Sequence, residues 1–445
     1  MATVFGTILA FVIVFGILVF IHEFGHFFVA KLVGIRVETF SFGYGKRLVG
    51  FKKKETDYRI SLIPMGGYVK FLGEGEAGAE GKGKLPEDHF MAKKRWQRFL
   101  VMVMGSVMNI VLAVVISTAI NMIGVDVPAY QDQKPVVGWV DPESPAQKAR
   151  FYWGDEILSI DGTKVKTWSD VELAIGTKPD RLVKIEIRRN GGLLSLELRT
   201  EKRTRYALGY AGFTGGFLTQ VRMVKPGSPA EKAGLRQGDV ILAVNGEPIY
   251  FYQFVGVIEK HPGQELEFLV DRQGERITLR VTPQLEGKVG KIGIYQEPQT
   301  VQKQYGVFAA IWQGLRENIR NAFLVIRFVK DLIVGQASPE QLGGPLEIAS
   351  FSYAALQMGF LAMLSWIGFI SLQLGIINLF PIPVFDGGQI FVLALEGLFR
   401  RDFSPRVRQI WMQIGFVIFV FLIVFIILND IVKRMPNGWE SLIPW

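Results

Sequence analysis

The sequence predicts a polytopic α-helical membrane protein with two tandem α+β domains outside the membrane and a membrane-associated β-hairpin region. Three observations predict this class: four long uncharged runs, a duplicated segment between the second and third runs, and strand-like segments after the first. Hydrophobic residues make up 49% of the 445 and charged residues 20%, a more apolar composition than soluble proteins typically have. Because the chain has no cysteine, disulfides and cysteine-based metal sites are excluded.

Four apolar runs reach the ~20 residues that a helix needs to cross a ~30 Å hydrocarbon layer. We expect transmembrane helices at residues 1–30, 99–125, 356–386 and 409–430. No basic residue precedes the first run, as it would in a signal peptide, so we expect an uncleaved span there.

The loops carry the charge asymmetry that sets orientation. Basic residues crowd the loop at 31–98, and four arginines lie within 400–408, between the third and fourth spans. Short loops rich in Lys and Arg stay cytoplasmic. The sequence therefore predicts a bacterial inner-membrane protein with both termini and the stretch 126–347 in the periplasm. The net charge of +9 then reflects topology, and we expect no nucleic-acid partner because no binding motif surrounds the charges.

A segment recurs after 84 residues. Ser-Pro-Ala at 144–146 and Gly-Asp at 154–155 reappear at 228–230 and 238–239, and equal offsets indicate a duplicated domain. The pattern resembles the PDZ domain, which binds an extended peptide as an added strand. We expect the first copy at 126–205 and the second at 206–290. Neither copy shows a clear Gly-Leu-Gly-Phe-like carboxylate loop, so two interpretations stay open: the copies bind protein tails, or they only occupy space above the membrane.

Apolar residues recur at helical spacing in 301–335, with Arg316, Arg320 and Arg327 among them. This pattern predicts amphipathic helices at the outer membrane–water interface. A helix packed on the second repeat fits the pattern equally well. The glycine-rich residues 73–84 are expected to form a flexible cytoplasmic linker.

The segment His22-Glu23-Phe24-Gly25-His26 lies at the cytoplasmic end of the first span. Residues four apart share one face of a helix, so both imidazoles can bind one Zn²⁺ while Glu23 reaches a bound water. An ionisable group at membrane depth costs ~2.5–3.5 kcal/mol and is rarely kept without a function. We therefore predict a catalytic zinc site here rather than a chance match.

A catalytic zinc site normally has three protein ligands and a water. The third span ends at the depth of the two histidines, where residues 378–388 read Asn-Leu-Phe-Pro-Ile-Pro-Val-Phe-Asp-Gly-Gly. Pro381 and Pro383 remove backbone donors and break the helix, which is tolerated only beside protein or water. Asp386 is the expected third ligand, and a helix-capping aspartate is the alternative.

These two motifs, together with four spans and tandem repeats, are similar to those of the site-2 protease family of intramembrane zinc metalloproteases. The resemblance implies that His22, His26 and Asp386 hold Zn²⁺, that Glu23 is the catalytic base and that Asn378 contacts the substrate backbone. It further implies transmembrane protein substrates that have already been cut outside. An anti-sigma factor and remnant signal peptides are the expected kinds, and membrane lipid surrounds both partners.

A helical substrate hides its carbonyl groups in its own hydrogen bonds and must unwind before cleavage. The loop after the first span reads as short strands, and an edge containing Tyr68 and Val69 would pair with unwound substrate. An ordinary cytoplasmic hairpin is the alternative. Asn378 would supply a second hydrogen-bonding group, or else an interhelical polar contact. Pro381 and Pro383, at the helix break beside it, are also expected to bind substrate.

Other polar residues receive structural interpretations. Gly105, Ser106 and Asn109 form a small polar face on the second span, which we assign to close helix packing ahead of contact with the catalytic span. We expect His89 to be a solvated surface histidine in the cytoplasmic loop. His261 is expected outside, away from the predicted zinc site.

The predicted function is regulated intramembrane proteolysis, in a stress response, by a zinc metalloendopeptidase. A second hypothesis is a receptor or chaperone whose outside repeats capture unfolded tails without cleaving them. A metal transporter is a weaker hypothesis, because one site at one membrane face gives no path across. A size-filter hypothesis for the repeats predicts that they exclude substrates with bulky outside domains until a first protease trims them.

Overall fold

The computed structural model describes residues 2–73, 85–203 and 208–435. The chain divides into two units, the first composed of Met1–Gly124, Gln304–Ile333 and Leu342–Trp445, and the second of Val125–Lys303 and Val334–Gln341. Residues 74–84 of the predicted linker lie outside the described residues.

The first unit begins with a long apolar helix, a pair of strands and a second helix. These are α1 (Ala2–Leu32), β1 (Val37–Lys53), β2 (Thr56–Phe71) and α2 (Arg95–Ile123), with a 3₁₀ turn at Phe90–Ala92 before α2. Shifts in register let Phe40 of β1 align with both Val69 and Tyr58 of β2. The end of β2 from Gly67 to Phe71 is therefore paired with β1 along one side, and no described strand pairs with its other side.

The second unit contains the duplicated domains. Its first half consists of β3 (Val125–Pro128), β4 (Val137–Val140), α3 (Pro145–Lys148), β5 (Glu156–Ile160), β6 (Thr163–Lys164), α4 (Trp168–Gly176), β7 (Leu182–Arg189), β8 (Gly192–Arg199), β9 (Glu201–Arg203), β10 (Leu208–Tyr210) and β11 (Phe213–Gly215). The strand order is β6-β5-β7-β8, with a separate β11-β4 pair. Ser144 caps α3 by accepting a hydrogen bond from the backbone N–H of Gln147.

The second half repeats this order. It consists of β12 (Thr219–Val224), α5 (Pro229–Lys232), β13 (Val240–Val244), β14 (Glu247–Pro248), α6 (Phe251–Glu259), β15 (Leu266–Arg272), β16 (Glu275–Val281), β17 (Gln284–Glu286), β18 (Val289–Lys291), β19 (Ile294–Pro298) and β20 (Thr300–Lys303). The main sheet has the order β16-β15-β13-β12-β19, and β20 pairs with β3. Ser228 caps α5 as Ser144 caps α3, so the repeated motif builds the same local structure twice.

The predicted boundary between the copies, at residues 205 and 206, differs from the division of the cores. Ala211, Phe213 and Phe217 pack into the first core, with Val137 and Ile157. The second core runs from Val221 to Ile292. The reason is that β11, although it follows the predicted boundary, pairs with β4 of the first copy.

The chain then returns to the first unit as a series of helices. They are α7 (Val307–Ile333), α8 (Pro345–Met358), α9 (Phe360–Ile377), α10 (Asp386–Leu398) and α11 (Pro405–Val432). The predicted third span, 356–386, is shorter in the structure. A break at Gly359, with φ 106°, separates α8 from α9, and α9 ends at Ile377, ahead of the two prolines.

Within the described residues, four helices are long and apolar enough to cross a membrane: Val4–Leu32, Arg95–Ile123, Phe360–Ile377 and Arg406–Val432. This agrees with the four predicted spans. Only 6% of the most apolar window in the fourth is buried by protein, so nearly all of its surface is left for lipid.

The amphipathic helices predicted at 301–335 are one long helix in the structure, α7 (Val307–Ile333). Its small or polar residues Ala310, Gly314 and Asn318 are buried. Asn318 Nδ2 donates to Ser117 Oγ at 2.8 Å, so α7 packs against α2. Its large apolar side chains, including Phe308 and Phe323, stay exposed. The location of that exposed face at the membrane surface remains a prediction.

Candidate metal centre

Three potential metal ligands meet where α1 and α10 approach each other. His22 and His26 lie one turn apart on α1, and their Nε2 atoms are 3.2 Å apart. Asp386 Oδ2 lies 3.3 Å from Nε2 of His22 and 3.4 Å from Nε2 of His26. The sequence-predicted residues are therefore in one place, although Asp386 is 360 positions further along the chain than His26.

The spacing of these atoms suits Zn²⁺. A tetrahedral zinc site with bonds of ~2.0–2.1 Å separates its ligand atoms by ~3.3 Å. The three distances in the structure, 3.2, 3.3 and 3.4 Å, match this separation. Two imidazoles and one carboxylate are also a usual donor set for a catalytic zinc with an open fourth position.

A compact turn between α9 and α10 brings Asp386 to this position. The backbone N–H of Gly387 donates to the carbonyl of Asn378 at 2.7 Å and closes the irregular segment on itself. A Cβ at Gly387 would lie 2.3 Å from the carbonyl of Leu379, so only glycine fits. Asp386 is the first residue of α10 and follows the cap residue Phe385, so its carboxylate is available to the histidines.

Glu23 lies beside the metal centre and lines a cavity of about 230 Å³. The backbone of Val69, in the edge segment of β2, lies beside the Glu23 carboxylate. Tyr68, Val69 and Asn378, all predicted to contact substrate, also line this cavity. A carboxylate, an open strand edge and an amide thus surround the same space.

Tyr44 and Gln389 line the cavity too, and sequence reasoning did not select either. The Tyr44 ring stacks on that of Tyr68, with centroids 5.8 Å apart. Burial raises the pKa of the Tyr44 phenol, and the nearby Glu23 carboxylate raises it further. Tyr44 is therefore a neutral hydrogen-bond donor at physiological pH. A register shift brings it to the cavity, which no local sequence pattern would indicate.

The two prolines of the motif occupy other positions. Pro381 and Pro383 were predicted to bind substrate, but neither is among the residues that line this cavity. Pro383 lies instead so close to Gly415 of α11 that a Cβ at this glycine would be 2.2 Å from Pro383 Cβ. In the structure the prolines end α9 and pack the break against the fourth span.

His89 differs from its predicted state. It is 5% exposed rather than solvated. Its Nδ1 accepts from the backbone N–H of Met91 at 3.1 Å, capping the 3₁₀ turn. A polar sequence context suggested a surface residue, but the folded loop places Gly73 against the ring, where an added Cβ would lie 1.8 Å from His89 Nε2. His261 lies in the second unit, where its Nδ1 is 2.7 Å from the carbonyl of Val257.

One face of α2 contacts all three ligands. His26 Nδ1 lies 2.8 Å from the carbonyl of Val101, and Ser106 Oγ lies 3.4 Å from Asp386 Oδ2. Asn109 Nδ2 is 3.4 Å from His22 Nδ1. The prediction that Ser106 and Asn109 serve helix packing is therefore incomplete, because both also contact the metal centre.

A zinc-binding triad with a neighbouring carboxylate, built into a bundle of membrane helices, is the arrangement expected of a membrane metalloprotease. Comparison with known proteins gives the same class. Residues 10–422 match the family described as Peptidase family M50. The chain belongs to this family and is a zinc-dependent metalloprotease.

Similar proteins extend over nearly the whole chain. "Protease RseP" of Yersinia pestis is 33% identical over 97% of this chain and 99% of its own length. "Regulator of sigma-E protease RseP" of Escherichia coli K12 is 32% identical over 95% of this chain and 97% of its own length. A Vibrio cholerae protein named as a zinc metalloprotease is 31% identical over 97% of this chain and 100% of its own length.

A solved PDZ domain of an SdrC-like protein from Listeria monocytogenes covers 19% of this chain and 90% of its own. It is 21% identical, and its TM-score of 0.17 is too low to define a fold.

Proposed function

We propose that this chain hydrolyses peptide bonds within or near the transmembrane segments of other membrane proteins, with Zn²⁺ held by His22, His26 and Asp386. One observation carries the proposal: the three ligand atoms, at 3.2 to 3.4 Å separations, lie beside Glu23 inside a bundle of membrane helices. A site at this position reaches peptide bonds that a soluble protease cannot reach.

Zn²⁺, when bound, polarises the scissile carbonyl and makes water more acidic. Glu23 is the general base: its carboxylate takes a proton from the attacking water and passes it to the nitrogen of the leaving amine. Glu23 lines the cavity, and the backbone N–H of Val69 beside its carboxylate would help to orient it there.

The unwound substrate needs partners for its freed backbone groups. The edge of β2 at Tyr68 and Val69 offers strand pairing, because no described strand occupies that side. Asn378 also lines the cavity and supplies an amide donor and acceptor. Pro381 and Pro383 assist indirectly, by holding the helix end open beside the cavity.

The charge distribution supports an inner-membrane location with both termini and the repeat domains in the periplasm. We assign the two repeat domains to the tandem PDZ type from their duplicated motif and α+β order. Two of the similar proteins are named as RseP proteases, and one name specifies regulation of sigma-E. Anti-sigma-factor-like membrane proteins and remnant signal peptides are accordingly the proposed substrates.

The test compares purified wild type with Glu23→Gln on a tagged transmembrane substrate, with zinc content measured for both. We expect cleavage by the wild type alone and equal zinc in both proteins. His22→Ala is the matched variant for the metal, and it should lose both zinc and cleavage. Cleavage by a folded, zinc-loaded Glu23→Gln protein would contradict the assigned base. Substrate capture without cleavage by either protein would favour the receptor hypothesis.

A further inference from the structure

One buried polar residue beside the metal centre, Asn109 of α2, has no role in the proposed catalytic steps. Asn109 lies in the middle of α2 and is 0% exposed. Its Nδ2 lies 3.4 Å from His22 Nδ1, while its Oδ1 has no hydrogen-bond partner among the residues that the structure describes. A buried amide oxygen without a partner is destabilising, so a residue used only for packing would be expected to be apolar.

The chemistry of a metal-bound histidine explains why an amide side chain lies beside His22. An imidazole that binds a metal through Nε2 keeps its proton on Nδ1, and that N–H needs an acceptor. For His26 the acceptor is the carbonyl of Val101, at 2.8 Å. For His22, the group that faces Nδ1 is the Asn109 amide.

A half-turn of the Asn109 side-chain amide exchanges its oxygen and its nitrogen. Without metal, Nδ2 can donate to an unprotonated Nδ1, as the 3.4 Å contact allows. With metal on Nε2, the turned amide offers Oδ1 to the Nδ1 proton. An amide serves both states because it carries a donor and an acceptor, whereas a leucine of similar size serves neither.

A hydrogen bond from a neighbouring helix fixes the backbone of Asn109. Ser371 of α9 is 0% exposed and donates to the carbonyl of Asn109 at 2.8 Å. This bond ties the α2 turn that carries Asn109 to a second helix. The distance from the amide to His22 is therefore set by the packing of α1, α2 and α9.

We propose that Asn109 is a positioning residue that fixes the tautomer and ring orientation of His22 for metal binding. The inference rests on the proposed function, since it takes His22 to be a zinc ligand. Asn109 touches neither substrate nor the reacting atoms, and its effect passes through His22. Partners of this kind typically contribute 10- to 100-fold to metal affinity.

The experiment measures zinc affinity of the full-length protein by competition with a chelating dye, and the absorption spectrum of the Co²⁺-substituted protein. Asn109→Leu should weaken zinc binding ~10- to 100-fold and alter the Co²⁺ spectrum. Asn109→Asp keeps an acceptor for Nδ1–H and should retain near-native affinity. Asn121→Leu is the control: Asn121 is also a buried asparagine of α2, but it bonds to Ser117 and Glu317. It should leave zinc binding unchanged.

Native zinc affinity and an unchanged Co²⁺ spectrum in Asn109→Leu would overturn the proposal. A tenfold loss in Asn109→Asp would overturn it as well, and this variant decides the matter if Asn109→Leu does not fold. His22→Ala separates this inference from the proposed function. If His22→Ala keeps native zinc affinity, the metal site itself is wrong; if it loses zinc while Asn109→Leu keeps it, only the positioning role fails.

Discussion

Single residues decide whether the metal ligands can approach each other, and Gly105 is the clearest case. A Cβ at this position would lie 2.3 Å from Nε2 of His26 and 2.8 Å from Cε1 of His22. Real Cβ atoms do not approach other atoms so closely, so any side chain would displace an imidazole from the metal centre. The small residue that the sequence presents as a packing feature is a steric requirement of the site.

Gly105→Ala is therefore expected to lower zinc content and abolish cleavage, with the helix bundle still folded. Gly397→Ala is the matched control, because Gly397 lies on α10 with no atom within 4 Å of the added Cβ. Metal analysis of both purified variants checks the prediction. Full zinc occupancy in Gly105→Ala would show that the ligands have more room than the structure indicates.

An ion pair recurs at equivalent places in the two repeat domains. Asp155 receives two hydrogen bonds from Arg189, at 2.6 and 2.7 Å, and the carboxylate is 1% exposed. Asp239 receives two from Arg272, both at 2.8 Å. Each pair anchors the Gly-Asp turn of its repeat to a strand of the same domain.

Arg189→Met would leave Asp155 buried without its partner, which costs ~3–5 kcal/mol. We expect faster hydrogen exchange in β5 and β7 of the full-length protein and no change in zinc content. Arg188→Met is the comparison, since the exposed pair of Arg188 with Glu156 contributes at most ~1 kcal/mol. Equal exchange in the two variants would contradict a structural role for the buried pair.

At the scale of elements, the edge of β2 connects the β1–β2 pair to the cavity that Glu23 lines. Val69 aligns with Phe40 of β1, and its backbone also lies beside the Glu23 carboxylate. A helix could not present backbone groups to the cavity in this way, because its own hydrogen bonds would occupy them. The strand therefore lies where it would orient the proposed base, and it leaves neighbouring backbone groups for the proposed substrate.

Val69→Pro removes the N–H beside Glu23 and should lower kcat/KM at least ~10-fold, or ~1.4 kcal/mol in activation free energy. Zinc content should stay native, because the hydrogen bonds described for His22, His26 and Asp386 do not involve Val69. Val49→Pro, in the same sheet but exposed and aligned with Ile60, serves as control. If both prolines reduce cleavage equally, the strand pair acts through overall stability and not through its edge at Glu23.

At the scale of the whole molecule, the repeat domains form an insertion in the helical unit. Strands β3 and β20 pair from Val125 with Lys303 to Pro128 with Thr300, so the two ends of the insertion lie side by side. An insertion with adjacent ends can be removed without stretching the chain that remains.

Deletion of residues 130–298, with β3 and β20 retained and joined by a short glycine linker, tests the size-filter hypothesis. We expect the shortened protein to bind zinc and to cleave untrimmed substrates that the full-length protein does not cleave. Cleavage of pre-trimmed substrate by both proteins is the control for an intact site. If the deletion leaves the requirement for a first cut unchanged, the repeats have another function.

The sequence predicted much of this architecture from local signals. Long apolar runs indicated four spans because a membrane requires them, and repeated motifs indicated the duplication. His22, His26 and Asp386 were recognisable because ionisable residues are rare at membrane depth. Two predicted boundaries differ from those in the structure: β11 pairs back to β4 of the first copy, and α9 ends at Ile377, ahead of the prolines. His89 is buried, although its polar loop indicated a solvated residue.

The sequence by itself determined the class of protein and indicated candidate metal ligands and a candidate base, since helical spacing and membrane energetics are local properties. Tertiary structure alone decided which groups stand behind the ligands. Val101, Ser106 and Asn109 meet them only because α2 packs against α1 and α10. Tyr44 reaches the cavity through a register shift. Such contacts depend on distances between elements, which no periodicity along one segment encodes.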